Sequence, residues 1–164
     1  IRDRYRPVPT CFGSGMPGRA DTGYLHAVKN GSVNLDDALA SFAETWSPRI
    51  VARMNDYDVR IAHARGDHVW HVHEDTDEFF LVLDGRLDIA MRGDDGAEYT
   101  VELHRGDLYV VPRGVTHRPS SPGASILLFE PTGTSSTGDS HEGDLPPHVD
   151  STVGHPLDAD TGRS

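Results

Sequence analysis

Two short segments, each carrying metal-ligand residue types in a strand-like setting, constrain this chain more than any other feature. The first runs from Gly66 to Glu78 and holds His71 and His73 two residues apart, with Glu78 five residues further on. The second runs from Gly106 to His117 and ends on a histidine after Pro112-Arg113-Gly114. On an extended strand, residues two apart leave the same face. His71 and His73 are therefore expected to aim at one point, with Trp70 and Val72 facing away. Glu78 follows the polar turn Glu74-Asp75-Thr76 and opens the apolar run Phe79-Phe80-Leu81-Val82-Leu83, so it can return to that point from a neighbouring strand. Three imidazoles and one carboxylate suit one divalent transition metal: Zn, Fe, Mn, Ni or Cu. Histidines on a solvated strand face need no partner, but histidines turned into a barrel do, and an ion supplies one. His68, an odd step from His71, is expected to face away from the ion, and His104 to lie in a loop. Neither is read as a ligand.

The surrounding sequence reads as many short strands. Arg49–Met54 and Tyr57–Ala64 flank an Asn55-Asp56 turn, and Phe79–Leu83 and Arg86–Met91 flank Asp84-Gly85, a hairpin signal. Tyr99–Leu103, Leu108–Val111, Val115–Arg118 and Ala124–Glu130 complete the set. One helix precedes them, with Asn34 as N-cap, Asp37 at the third helical position and an apolar stripe of Leu35, Leu39, Phe42 and Trp46. Ser47-Pro48 ends it. The expected fold is all-β, a double-stranded β-helix or jelly-roll barrel with one short N-terminal helix.

The two segments together, His71-x-His73-x4-Glu78-x6-Gly85 and Gly106-x5-Pro112-x-Gly114-x2-His117, resemble the two motifs of the cupin superfamily. Twenty residues separate Gly85 from Gly106, a short spacing similar to that of small single-domain bacterial cupins. Arg118-Pro119-Ser120-Ser121 stands where an asparagine often closes the second motif, a position that is not a ligand. The resemblance spans residues 32–135. It implies an N-terminal extension over 1–31, a cupin barrel over 32–135 and an acidic C-terminal tail over 136–164. It also implies a metal on His71, His73, Glu78 and His117, and a homodimer.

Composition narrows the partners. A formal charge of −11 argues against nucleic acid, whose phosphates call for clustered cations. No stretch approaches the ~18 consecutive apolar residues of a membrane span, and the one cysteine, Cys11, can form no intrachain disulfide, so a cytoplasmic location is expected. A first residue other than Met gives the expectation of a chain cut from a longer product. From Pro131 onward the chain is dense in Gly, Ser, Thr, Pro and Asp, a composition typical of disorder unless the segment is held against the barrel or a partner subunit.

Four ligands on a six-coordinate ion leave positions for water and substrate. The expected function is a metal-dependent enzyme on a small organic molecule, by Lewis-acid isomerase, lyase or rearrangement chemistry or by dioxygenase chemistry. The alternative is a non-catalytic small-ligand-binding or sensor cupin. Inward-facing candidates for substrate contact are Phe80, Tyr109 and Arg60, whose guanidinium suits a carboxylate or phosphate. On the strand from Tyr57 to Ala64, the inward set is either Val59, Ile61 and His63 or Arg60, Ala62 and Ala64. No dedicated general base stands out; Tyr109 and Glu130 qualify only by lying on barrel strands.

Overall fold

The computed structural model describes residues 32–157. The N-terminal extension up to residue 31 and the last seven residues of the tail lie outside the described residues. The described part opens with a single turn of helix, α1 (Leu35–Leu39). The Asn34 side chain accepts a hydrogen bond from the Asp37 backbone N–H at 3.0 Å, satisfying one of the free donors of that first turn. The helix is shorter than its apolar stripe suggests. Trp46 sits at φ 51°, in the left-handed region, and its ring enters the barrel core rather than continuing the stripe. Leu35, Leu39 and Phe42 pack instead with Val51 and Ile61 on the outer side of the sheet.

Nine strands follow: β1 (Arg49–Met54), β2 (Tyr57–Asp67), β3 (His71–Val72), β4 (Glu78–Arg92), β5 (Glu98–His104), β6 (Leu108–Val111), β7 (His117–Pro131), β8 (Ser140–His141) and β9 (His155–Pro156). They run in the order β5-β4-β7-β2-β1-β9, with β6 alongside β4 and β3 alongside β7 and β8. Asn55, at φ 57°, turns β1 into β2 as expected. Asp84-Gly85 does not make a hairpin. The chain continues as one strand, and the register shifts between Val82 and Asp84 against β7. Gly85 takes φ 78° and lies so close to β7 that a Cβ there would stand 2.1 Å from the Gly123 carbonyl oxygen. An Asp-Gly pair supplies a positive-φ residue, and here that residue is used for a bulge that bends the strand. The segments Val115–Arg118 and Ala124–Glu130 likewise join into the single bent β7.

These two bent strands make the double-stranded β-helix. The first part of β4 pairs with β6, the second with β5, and both parts pair with β7. Between the layers lies a core that includes Phe80, Leu87, Ile89, Met91 and Ile126, each at most 2 % exposed. Each such side chain contributes about 1.5–3 kcal/mol by burial. Among the described residues, no helix is long and apolar enough to cross a membrane.

The acidic segment after Pro131 is held down as far as the structure describes it. Strand β8 pairs with β3, joining His71 to His141, and β9 pairs in parallel with β1. Val149 reaches the barrel core, and the Asp150 N–H donates to the Trp46 carbonyl at 3.1 Å. Over β3, the Asp139 N–H donates to the Val72 carbonyl at 2.8 Å, while its carboxylate accepts the Glu74 N–H at 2.7 Å. Gly138 makes this approach possible: at φ 72°, a Cβ on it would lie 2.3 Å from the Val72 oxygen. Replacing Gly138 by Ala is therefore expected to lift this segment from β3 and cost about 1–3 kcal/mol, read as a lower denaturant midpoint. An unchanged midpoint would show that the close approach is not needed for stability.

Candidate metal centre

Four side chains from three strands and a loop meet at one end of the barrel. His71 lies on β3, bridged on one side to His117 and on the other to His141. His73 follows just past β3, and Glu78 and His117 are the first residues of β4 and β7. The two sequence segments are stitched together by backbone. The Gly114 N–H donates to the His73 carbonyl at 2.7 Å, and the Arg113 N–H to the Asp77 carboxylate at 3.0 Å. The turn that delivers His117 thus also fixes the loop that carries His73.

All four residues are buried, with relative exposures between 1 % and 5 %. One nitrogen or oxygen from each lies within 4.8 Å of the others. Glu78 Oε2 stands 2.6 Å from His117 Nε2, 3.3 Å from His73 Nε2 and 3.7 Å from His71 Nε2. The Nδ1 atoms of His71 and His117 each lie 3.0 Å from the carbonyl two residues earlier, Val69 and Val115 respectively. That bond places the proton on Nδ1 and leaves the Nε2 lone pair pointing into the cluster, as metal-ligating histidines require. The Nε2 atoms of His71 and His73 are buried without a hydrogen-bond partner. Buried nitrogens of this kind cost free energy unless something accepts their lone pairs. The donor set therefore fits a divalent transition ion.

The electrostatics agree. Burial alone would raise the Glu78 carboxyl, but the His117, His71 and His73 rings outweigh it and hold Glu78 well below the usual carboxylate range. Burial lowers His71. At His73 burial acts in the same direction, but the neighbouring Glu78 carboxylate overcomes it and the imidazole titrates above its usual value.

A cavity of about 30 Å³ opens beside the cluster, walled by His71, Glu78 and Phe80 together with Trp46, His68, Glu130 and Ser136. On β2, Arg60, Ala62 and Ala64 form the inner-facing set, all buried. Phe80 lines the cavity from β4. Arg60 is completely buried and points into the protein, where its guanidinium meets Glu130 at 2.6 Å, Asp58 at 3.4 Å and the Thr134 carbonyl at 2.9 Å. Tyr109 is half-buried against the core and is not among the cavity-lining residues.

His68 departs from expectation. It does not turn away from the site but lines the cavity, its ring 4.9 Å from that of His71. Strand alternation does not apply there, because β2 ends at Asp67 and β3 begins only at His71. Burial, then the nearby His71, pushes the His68 imidazole down to about 3, so it is neutral. Glu130 is the other polar wall that sequence reasoning left unassigned. Burial, reinforced by Glu78, pushes its carboxyl up to about 8 against the pull of Arg60. The usable signal was its phase: Ile126, Leu128 and Glu130 alternate on the buried face of β7. His104 is exposed beside Glu102, and His141, His148 and His155 are scattered along the C-terminal segment, outside the cluster.

Comparison with known proteins places this geometry in a family. A family model for the cupin domain, of the Cupin_2 type, matches residues 58–131. The crystal structure of a cupin-2 domain containing protein from Shewanella frigidimarina is 40 % identical, covering 60 % of this chain and 93 % of that one, with a TM-score of 0.56. A protein from Neisseria meningitidis is 31 % identical over 62 % of this chain and 99 % of its own, with a TM-score of 0.53. Among curated proteins, the uncharacterised Bacillus subtilis protein YdbB is 37 % identical over 71 residues, which are 43 % of this chain. The match spans 59 % of YdbB's length. With its two motifs converging on one buried cluster and the Shewanella and Neisseria proteins matched over nearly their whole length, the chain belongs to the cupin-2 family.

Proposed function

We propose that the protein is a metal-dependent cupin enzyme that binds one divalent transition ion through His71, His73, Glu78 and His117 and acts on a small organic molecule. The observation that carries this reading is the pair of buried, unpartnered Nε2 atoms of His71 and His73 beside the Glu78 carboxylate, with His71 and Glu78 at the wall of a cavity. A purely structural ion is more often closed in by four tetrahedral ligands, frequently thiolates, and this cluster contains none. When bound, such an ion supplies Lewis acidity to an oxygen of the substrate or, if it is iron, a site for O2. The chain's own part is to hold the four donors, to surround the substrate with apolar groups such as Phe80, and to keep water scarce. Phe80 selects by shape, Arg60 acts on the cavity through Glu130, and Tyr109 supports the wall from β6.

Replacing His71 and His73 together by Ala is expected to abolish stoichiometric metal retention, measured by elemental analysis of folded protein. Retention of one ion per chain in that variant would refute the ligand assignment. Glu78→Ala should lower metal content and turnover together. Phe80→Ala should keep the ion and change which substrates are accepted. A cognate molecule that binds the metal-loaded protein and emerges unchanged, with and without O2, would favour a sensor over an enzyme.

Metal affinity is also expected to depend on pH, because the ligands must bind as neutral imidazoles and a carboxylate. His73 titrates above its usual value and so takes a proton at higher pH than an ordinary imidazole, while Glu78 stays ionised to well below the ordinary carboxylate range. The affinity should hold steady in mildly alkaline solution. It should then fall about tenfold per pH unit once pH drops below the His73 titration. An isotherm unchanged between mildly alkaline and mildly acidic buffer would contradict this.

We also propose that the protein is a homodimer. The outer face of the sheet carries two apolar rows across neighbouring strands, Val110–Phe79–Phe129 and Leu108–Leu81–Leu127. Leu108 and Val110 are 58 % and 41 % exposed, and Tyr57 stacks on Phe129 at their edge with 38 % exposed. A contiguous apolar patch of this kind is a docking surface. Sedimentation is expected to show a dimer that Leu108→Asp dissociates without loss of metal. A wild-type species of one 17.9 kDa chain at micromolar concentration would overturn the proposal.

A further inference from the structure

Beside the metal cluster, the cavity has a second carboxylate with no assigned task. Glu130 is 2 % exposed and belongs to the cavity lining. It leaves β7 one step beyond the Phe79–Phe129 pair, so it and Glu78 project from neighbouring strands towards the same interior. Like charges placed this way repel and are retained only where each has its own partner. Glu78 has the three imidazoles; Glu130 has Arg60.

The Arg60 contact does not account for Glu130 fully. An arginine–carboxylate pair built for stability favours two parallel hydrogen bonds, one to each oxygen. Here Arg60 Nη1 reaches Oε2 alone, at 2.6 Å, and its other side-chain partner is Asp58. Among the described residues, Glu130 Oε1 accepts no hydrogen bond, although the carboxylate is buried at the wall of the cavity. A carboxylate oxygen that no protein donor claims, on a residue lining the cavity, is available to a donor group of a ligand.

We propose that Glu130 contacts the bound molecule: its Oε1 hydrogen-bonds a hydroxyl or similar group on a small compound whose other end meets the His71–Glu78 wall. This inference rests on the metal-site reading above. It narrows the ligand class to short molecules with polar groups at both ends, since Phe80, Ile126 and Leu128 make the cavity between them apolar. Arg60 is then a positioning residue, which holds Oε2 so that Oε1 stays aimed into the cavity. A cavity of about 30 Å³ has room for only two or three waters, so the compound is compact.

Cobalt-loaded protein titrated with 3-hydroxypropionate and with propionate, followed by the visible cobalt spectrum, tests this. The two probes differ only in one hydroxyl. The unaltered protein should bind 3-hydroxypropionate up to about tenfold more tightly, the scale of one hydrogen bond. Glu130→Leu should bring the two affinities level while cobalt content stays the same. If the leucine variant does not fold, Glu130→Gln, which keeps an oxygen acceptor for Arg60, should reduce the preference at full cobalt content. An unchanged preference in a folded, cobalt-loaded variant, or none in the unaltered protein, overturns the proposal. Failure of the unaltered protein to take up cobalt instead sinks the metal-site reading, and this inference with it.

Discussion

Burying an ionised carboxylate among three imidazoles is the constraint on which the rest of this structure depends. Such a cluster is costly in a protein interior unless every charge and lone pair finds a partner. Glu78 is held ionised by the rings around it, and two of those rings are oriented by backbone carbonyls two residues back. What remains unpaired are lone pairs pointing at one centre. A protein selected for stability alone would have filled this end of the barrel with aliphatic side chains, as it did around Leu87 and Ile89.

The scaffold is arranged to keep that cluster in place. The bulges in β4 and β7 bend each strand so that its two parts serve different pairings, which leaves Glu78 and His117 at strand starts on the inner face. The backbone bond from Gly114 to His73 couples the two halves of the site. The segment after Pro131 then closes over β3, with Asp139 gripping the loop after His73 and Ser136 reaching the cavity wall. Trp70, on the opposite side of β3, stacks under the Arg92 guanidinium 4.1 Å from its ring centre, and Arg92 also pairs with Glu142 of the same segment. The C-terminal segment is thus tied to the ligand strand both by backbone pairing and through Arg92.

The electrostatic pattern divides the cavity into two carboxylate regimes. Glu78, surrounded by imidazoles, stays charged; Glu130, sharing the interior with Glu78, is pushed up to about 8 despite Arg60. Environment, not residue type, separates two identical side chains on neighbouring strands. That separation distinguishes a residue suited to holding a cation from one suited to exchanging hydrogen bonds with a ligand.

The spacing of His71, His73, Glu78 and His117 was enough to read the cluster, because strand alternation is a local rule and glycine turns mark where strands stop. The same rule placed Phe80 inward and found the Asn55 turn. It failed where alternation lapses: His68 sits between strands, and nothing local says which way its ring turns. Asp84-Gly85 announced a residue with positive φ, but only the pairing of β4 along β7 decided between a hairpin and a bulge. Arg60 was legible as one of two inward sets. That its charge is met by Glu130 and Asp58 depends on β2 and β7 lying side by side, far apart in sequence. The acidic segment reads as disordered by composition because its hold on the barrel comes from backbone hydrogen bonds and two short pairings, which composition cannot register. By itself the sequence determined most of the extended segments, the Asn55 turn and the four converging donors, all set by neighbours a few residues away. The tertiary structure alone decided what closes over them and which polar groups share their cavity, because those contacts join segments that only the folded sheet brings together.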